Sequence, residues 1–245
     1  MTQILEYIQQ SRQASFVAAS PDEFFALRLA CRLGDGATAR HYALLASQYA
    51  EEQLLGAYAW AVRHRQTGGT LGELFHTALG RGVPPLRPRR SRTLSVAIER
   101  RHVAAAVFNG THVEDVRLRH LPGQPEKMAG SAVGFVRSML AEHRIEGTVL
   151  EVGPGTQESK TVKAGVIRAV SAEFRQRALP RWQLLSRDVI SAFGYPAPTK
   201  RTRMRQIGAR MWPDSAEGSR QSTRLDALAL GLYAQTERLL TGAEH

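Results

Sequence analysis

The stretch Glu146-Gly147-Thr148-Val149-Leu150-Glu151-Val152-Gly153-Pro154-Gly155 decides the fold. Gly147 opens a short strand, Val149 and Leu150 give it β-branched and apolar weight, and a Gly/Pro turn ends it. Glu151 falls where the strand runs out of sheet, so its carboxylate can reach an open edge. An acid at a strand end is one way to build a metal site on a rigid element. The plainer reading is a solvated charge at a strand terminus. A basic helical segment, Ser159 to Leu179, follows.

Upstream of this stretch the hydrophobic period is that of strands. Thr93-Leu94-Ser95-Val96-Ala97-Ile98-Glu99 reads as a strand that also ends on an acid. Val103 to Phe108 is a second strand, Asn109-Gly110 a hairpin turn, and His112 to Leu118 a third strand. A helix over about 130–143 carries Val133, Val136, Met139 and Leu140 on one face. Downstream, Trp182-Gln183-Leu184-Leu185 makes a further strand that leads toward Val189, and Leu225 to Leu232 begins a closing helix. Three hairpin-linked strands, then helix, strand, helix, strand and helices predict an α/β layout with a mixed sheet.

Residues 1–81 read differently, as helices throughout. Ile4, Leu5 and Ile8 recur at helical spacing. Ser20-Pro21-Asp22-Glu23 supplies an N-cap, a proline at the first helical position and an acid at the third, which opens a helix to Leu33. Gly34-Asp35-Gly36 stops it. Ala37 to Arg65 reads as two helices, and Thr70 caps another that runs to Leu79. Gly82-Val83-Pro84-Pro85-Leu86-Arg87-Pro88-Arg89-Arg90 then excludes regular structure and marks a solvated linker over 82–92. The predicted organisation is an all-α domain at 1–81 for docking or dimerisation, a Pro/Arg linker at 82–92, and an α/β domain at 93–245. A structural extension of the main domain is the alternative for 1–81.

At 245 residues and 43% hydrophobic, the chain can bury a sizeable core. No apolar run approaches the ~20 residues of a membrane span, and no secretory signal is visible at the start. The single cysteine, Cys31, lies among leucines, which predicts a buried thiol in a reducing compartment. The eight histidines lack cysteine partners at zinc spacing. A net charge of +11 favours a polyanionic partner, nucleic acid above a membrane surface. Seven Lys/Arg between Pro196 and Arg224, against Asp214 and Glu217, concentrate that charge.

Three acids recur in matching places: Glu99 ends the first strand, Glu151 the fourth, and Asp226 opens the last helix. In a β-β-β-α-β-α-β-α fold the first and fourth strands lie side by side and the last helix packs beside them, so the three can converge. Such clusters bind two divalent cations about 4 Å apart, which clamp the attacking and leaving oxygens of a phosphodiester. Mg²⁺ suits carboxylate oxygens. The plain alternatives are surface pairing of Glu99 with Arg100 or Arg101, and Asp226 as a favourable acid in a helix's first turn.

The chain resembles the RuvC-type Holliday-junction resolvases of the RNase H-like (retroviral integrase) superfamily over about 93–240. The resemblance is carried by Val96-Ala97-Ile98-Glu99 before a hairpin, Val149-Leu150-Glu151, and Leu225-Asp226-Ala227-Leu228-Ala229. Lys163-Ala164-Gly165-Val166-Ile167 is similar to the family's helix after the second acid, and Asp188 to Gly194 to its strand-to-basic-helix region. The resemblance implies an RNase H-like mixed sheet flanked by helices, preceded here by the all-α region. It implies a Mg²⁺-dependent (or Mn²⁺-dependent) endonuclease on branched or structured DNA, a homodimer acting in DNA recombination, cytoplasmic and nucleoid-associated. It makes Glu99, Glu151 and Asp226 the metal-binding catalytic acids, and Lys160, Lys163, Lys200, Arg201, Arg203 and Arg205 the phosphate contacts.

Three departures stand out. The first acid is Glu99 where the family has Asp, Arg100-Arg101-His102 replaces a Gly/Ser-rich turn, and Thr223 stands where the family has another acid one helical turn before the last. They leave open a non-catalytic nucleic-acid-binding subunit of a larger assembly, and the basic charge leaves open a helical RNA-binding adaptor. DNA and RNA are not distinguished by the sequence.

Overall fold

The structure is a computed structural model that describes residues 16–35, 38–88, 90–153, 161–194, 199–216 and 221–244. The predicted helical spacing of Ile4, Leu5 and Ile8, the Pro154-Gly155 turn and Lys160 lie outside the described residues. The chain divides into two compact units, one of 1–88, 190–201 and 237–245, the other of 89–189 and 202–236.

The first unit contains α1 (Pro21–Arg32), α2 (Ala39–Gln48), α3 (Glu51–Arg63) and α4 (Leu71–Gly80). Ser20 caps α1 by accepting the Glu23 N–H at 3.2 Å, and Pro21 occupies the first helical position. Gly34 ends that helix region with φ 74°, a backbone open to glycine at no steric cost. Thr70 and Glu73 form a capping box on α4. Phe25, Leu29, Tyr42, Leu54, Leu55 and Phe75 fill the core, together with Leu239 and Leu240 from the end of the chain. The 83–88 segment has no regular structure but runs along α3: the Leu86 N–H donates to the Glu52 carbonyl at 2.8 Å. Gly56 makes that approach possible, since a Cβ there would lie 2.4 Å from the Pro84 carbonyl oxygen. Leu86 packs against the helical core. The segment is thus tied to α3 through Leu86 and the Pro84 carbonyl, while Pro84, Pro85 and Arg87 stay exposed.

The second unit is an α/β fold, a mixed sheet flanked by helices. Its strands are β1 (Arg92–Glu99), β2 (His102–Asn109), β3 (His112–His120), β4 (Gly147–Val152) and β5 (Arg181–Leu185), in the sheet order β3-β2-β1-β4-β5. β1, β2 and β3 pair antiparallel, while β1–β4 and β4–β5 are parallel. The parallel pairs need crossovers, and these are α5 (Pro125–Glu142) and α6 (Val162–Gln176). α5 begins earlier than the expected 130 because Pro125 takes the first helical position, where its missing N–H costs nothing. α6 is shorter than the expected 159–179: the Thr161 hydroxyl accepts the Ala164 N–H at 3.3 Å, which sets its start, and it ends at Gln176. After β5 the chain turns directly into α7 (Ser186–Ala192), followed by α8 (Arg201–Met211) and α9 (Gln221–Ala243).

Strand alternation builds two different faces. Leu94, Val96, Ile98, Val103, Ala105, Val107 and Leu150 pack with α5 and α6 in one core. The opposite face, with Ser95 and Phe108, meets α9. Gly231 lets α9 come close, since a Cβ there would stand 2.2 Å from the Phe108 ring and 2.8 Å from Ser95 Oγ. Ser95 Oγ donates to the Ala227 carbonyl at 2.8 Å, and Gln235 Nε2 to the Ser91 carbonyl at 3.2 Å. At the β5 edge, the Trp182 ring lies over Gly147, with 2.8 Å to a Cβ placed there. Trp182 is thus an edge aromatic that packs on the sheet.

Candidate functional site

β1 ends on Glu99, and a two-residue turn, Arg100-Arg101, brings the chain back with His102 opposite Glu99. Arg100 adopts φ 43°, the left-handed backbone that such a short hairpin requires and that glycine would supply without strain. Glu99 has the same alternation as Ser95 and Ala97, so it belongs to the face that α9 covers. β4 pairs with β1 in the register Ser95↔Val149 and Val96↔Leu150, which puts Glu151 on that same face. Glu99, at the end of β1, and Glu151, one residue before the end of β4, therefore stand on the side where α9 brings Asp226.

Asp226 is 3% exposed and Glu151 is 7% exposed, and each carboxylate has a donor. Ser186 Oγ, at the start of α7, donates to Glu151 Oε1 at 2.6 Å. Asp226 is gripped by the fork of Arg205, from Nε to Oδ1 at 3.0 Å and from Nη2 to Oδ2 at 2.7 Å. The same Nη2 reaches Glu99 Oε2 at 2.9 Å. Ser222 Oγ at 3.1 Å and Thr223 Oγ1 at 3.4 Å also donate to Glu99 Oε2. Thr223, where the resemblance to the resolvases leads one to expect an additional acid, supplies a hydroxyl to Glu99. Hydrogen bonding to Asp226 holds the Arg205 guanidinium above the usual arginine pKa range, against the opposing effect of burial. Arg205 is a permanent cation.

The structure thus draws Glu99 and Asp226 to one guanidinium, while Glu151 lies on the same sheet face with Ser186 as its donor. Glu99 pairs with Arg205, 106 positions away, where a neighbour in the turn was the plain expectation. Carboxylate oxygens suit Mg²⁺ or Mn²⁺. In this arrangement, however, the residues do not fit a divalent cation: Arg205 stands between two of the three acids. Among the described residues no three His, Cys, Asp or Glu side chains gather closely enough to hold a metal ion.

The remaining basic residues are spread along the chain. Lys163 is half-buried in the first turn of α6, Lys200 is exposed just before α8, Arg201 is half-buried at its start, and Arg203 is exposed on it. The sequence marked Arg205 as a phosphate contact; the structure turns it onto the acids. Ser186 and Ser222 escaped sequence reasoning altogether. A lone serine carries no signal until the fold sets it beside a carboxylate, and only Thr223 was marked, as a replaced acid. No described helix is long and apolar enough to cross a membrane.

No family model matches this sequence, and no curated protein sequence does. By structure the chain is similar to Thermus thermophilus RuvC, with a TM-score of 0.45 and 17% identity over 60% of this chain and 95% of the other. It is similar to T. thermophilus RuvC in complex with a Holliday junction substrate, with a TM-score of 0.42 and 12% identity over 59% of this chain and 94% of that one. It is also similar to the yeast mitochondrial Holliday junction resolvase Ydc2, with a TM-score of 0.44 and 12% identity over 76% of this chain and 93% of that one.

Proposed function

We propose that the second unit is a nuclease acting on branched or structured DNA. The observation that carries this reading is the meeting of Glu99 and Asp226, far apart in the chain, at a single Arg205 guanidinium. A sheet-face location for Glu151 completes the ordered acids of the resolvase resemblance. Glu99, Glu151 and Asp226 are the proposed catalytic acids and the proposed ligands of Mg²⁺ or Mn²⁺. Lys160, Lys163, Lys200, Arg201 and Arg203 are the proposed phosphate contacts, with the net charge of +11 behind them. The helical region 1–81 is proposed to dock a protein partner or to support a homodimer, with 82–92 as its connection to the nuclease region at 93–245.

One observation favours a second reading. Arg205 neutralises two of the three acids, and Thr223 replaces a further one, as suits a non-catalytic nucleic-acid-binding subunit of a larger assembly. The test is cleavage of labelled four-way junction, duplex and single-stranded DNA with Mg²⁺ or Mn²⁺, beside Glu151→Ala and Asp226→Ala. The nuclease reading expects metal-dependent cutting that favours the junction and is lost in both variants. Salt-sensitive binding without cutting, equal in wild type and variants, overturns it in favour of the binding subunit.

A further inference from the structure

We propose that the two-residue turn between β1 and β2, Arg100-Arg101, grips the sugar-phosphate backbone of nucleic acid beside the end of β1. This contact rests on the nucleic-acid partner proposed above, but it needs neither cleavage nor the three acids.

Three features carry it. The turn is costly as built. Arg100 holds φ 43°, where a side chain is strained and glycine is not. Arg100 and Arg101 are both exposed, so burial does not offset that strain, and two neighbouring cations repel each other. The second feature is the lack of counter-charge. Several surface arginines of this unit have carboxylate partners: Arg92 lies 2.8 Å from Glu114, Arg117 2.8 Å from Asp115 and Arg187 3.4 Å from Asp188. Among the described residues no acid pairs with Arg100 or Arg101. The adjoining acid, Glu99, is engaged by Arg205, Ser222 and Thr223. The third feature is placement. The Arg101 carbonyl accepts the Leu121 N–H at 2.7 Å, which ties the turn to the end of β3. Its guanidinium lies 3.8 Å from where a Cβ on Gly123 would stand. Arg119, exposed on β3 at the same end of the sheet, has its guanidinium 5.5 Å from the Phe135 ring centroid. These cations stand at the sheet end that carries Glu99.

A guanidinium is always charged and donates paired N–H bonds to phosphate oxygens. Such contacts fix nucleic acid in place without reading its sequence. A bound phosphodiester would also supply the negative charge that the turn lacks. Each phosphate neutralised releases counterion, so log K falls against log salt with a slope of about −0.9 per contact on duplex DNA. At ~0.1 M salt one such contact is therefore worth roughly tenfold in affinity.

The test measures binding of fluorescein-labelled four-way junction and duplex DNA to the full chain by anisotropy, in EDTA and across a salt series, with thermal melting in parallel. The proteins are wild type, Arg100→Gly, Arg101→Ala and Arg175→Ala. Arg175 is exposed in the last turn of α6, where the crossover returns to the opposite end of the parallel strands, and its loss controls for net charge. Each turn variant is expected to bind both DNAs roughly tenfold more weakly, with a salt slope smaller by about one, while Arg175→Ala binds as wild type does. Arg100→Gly is expected to melt at or above wild type, because glycine relieves the left-handed backbone. An arginine kept for the fold would instead melt lower as glycine and leave DNA binding unchanged. Turn variants that match wild type in affinity and slope, or an equal loss in Arg175→Ala, overturn the contact and leave the nucleic-acid reading standing. No binding of either DNA by wild type overturns both.

Discussion

Glu151 is an acid taken largely out of water, and the Ser186 hydroxyl is one of its hydrogen-bond donors. Ser186 Oγ donates to it at 2.6 Å, in surroundings that leave Glu151 7% exposed. A hydrogen bond to a charged group is worth more than a neutral one, and a buried carboxylate left without it bears a desolvation penalty. Ser186→Ala is therefore expected to lower stability by about 1–3 kcal/mol in urea unfolding. Ser186→Thr keeps the hydroxyl and is expected to lose less. Equal stability of Ser186→Ala and wild type would remove this contact from the account of the site. Glu151 itself was legible from the sequence as an acid ending an apolar strand. Its donor was not, because Ser186 becomes a partner only through the parallel pairing of β4 and β5.

Among the elements, α9 has the most demanding position. It carries Asp226 and lies against the sheet through Gly231, which has Phe108 and Ser95 where a side chain would be. Gly231→Ala is expected to cost about 1–3 kcal/mol, the usual penalty for forcing a methyl group into a packed core. Because the displaced helix bears Asp226, the proposed nuclease reading expects the same variant to lose DNA cleavage in the junction assay at temperatures where it remains folded. α5 and α6 are joined differently, by charge. Arg137 Nη2 lies 2.8 Å from Glu173 Oε2, and Arg177 Nε lies 2.8 Å from Glu173 Oε1. Hydrogen bonds from Arg137 first, then Arg177, hold the Glu173 carboxyl below the ordinary glutamate range, against burial. A folded-state pKa below the unfolded one stabilises the fold above the unfolded value, and that contribution is lost as pH falls through the folded value. Glu173→Gln is thus expected to cost about 1–2 kcal/mol at pH 7, reduced because both arginines are partly solvated. The gap from wild type is expected to close as pH drops below about 4, as followed by urea unfolding across pH.

At the scale of the molecule, neither compact unit is continuous in sequence. The first takes in 190–201 and 237–245 besides its N-terminal helices. Leu239 and Leu240 sit in its core at 6% and 0% exposure, Arg28 Nε binds Glu237 at 2.7 Å, and the Tyr58 hydroxyl donates to Glu244 at 2.6 Å. The acid raises the Tyr58 pKa further after burial has already done so, so the hydroxyl stays protonated as a donor. A chain ended after Thr236 loses both leucines, each worth about 1.5–3 kcal/mol when fully buried. It is expected to melt at lower temperature, with the N-terminal helices opened to limited proteolysis. Unchanged protease resistance of those helices would show that they fold without the C-terminal residues.

What the sequence determined by itself is whatever depends on neighbours along the chain. Alternation and turn chemistry place β1 to β4, Ser20-Pro21 and Thr70 start their helices, and the strand-end acids Glu99 and Glu151 are visible because a strand's end is a local event. Tertiary structure decided what depends on partners far away in the chain. Arg205 and Arg203 are both basic residues of one helix, and no local pattern says that Arg205 turns onto Glu99 and Asp226, 106 and 21 positions distant. The same holds for the leucines at 239 and 240, which read as the tail of an ordinary helix and complete a core whose first buried member is Phe25. The physical reason is range. Capping, turns and amphipathic period act within a few residues, whereas ion pairing and core packing are settled only when the folded chain brings distant side chains within a few ångströms.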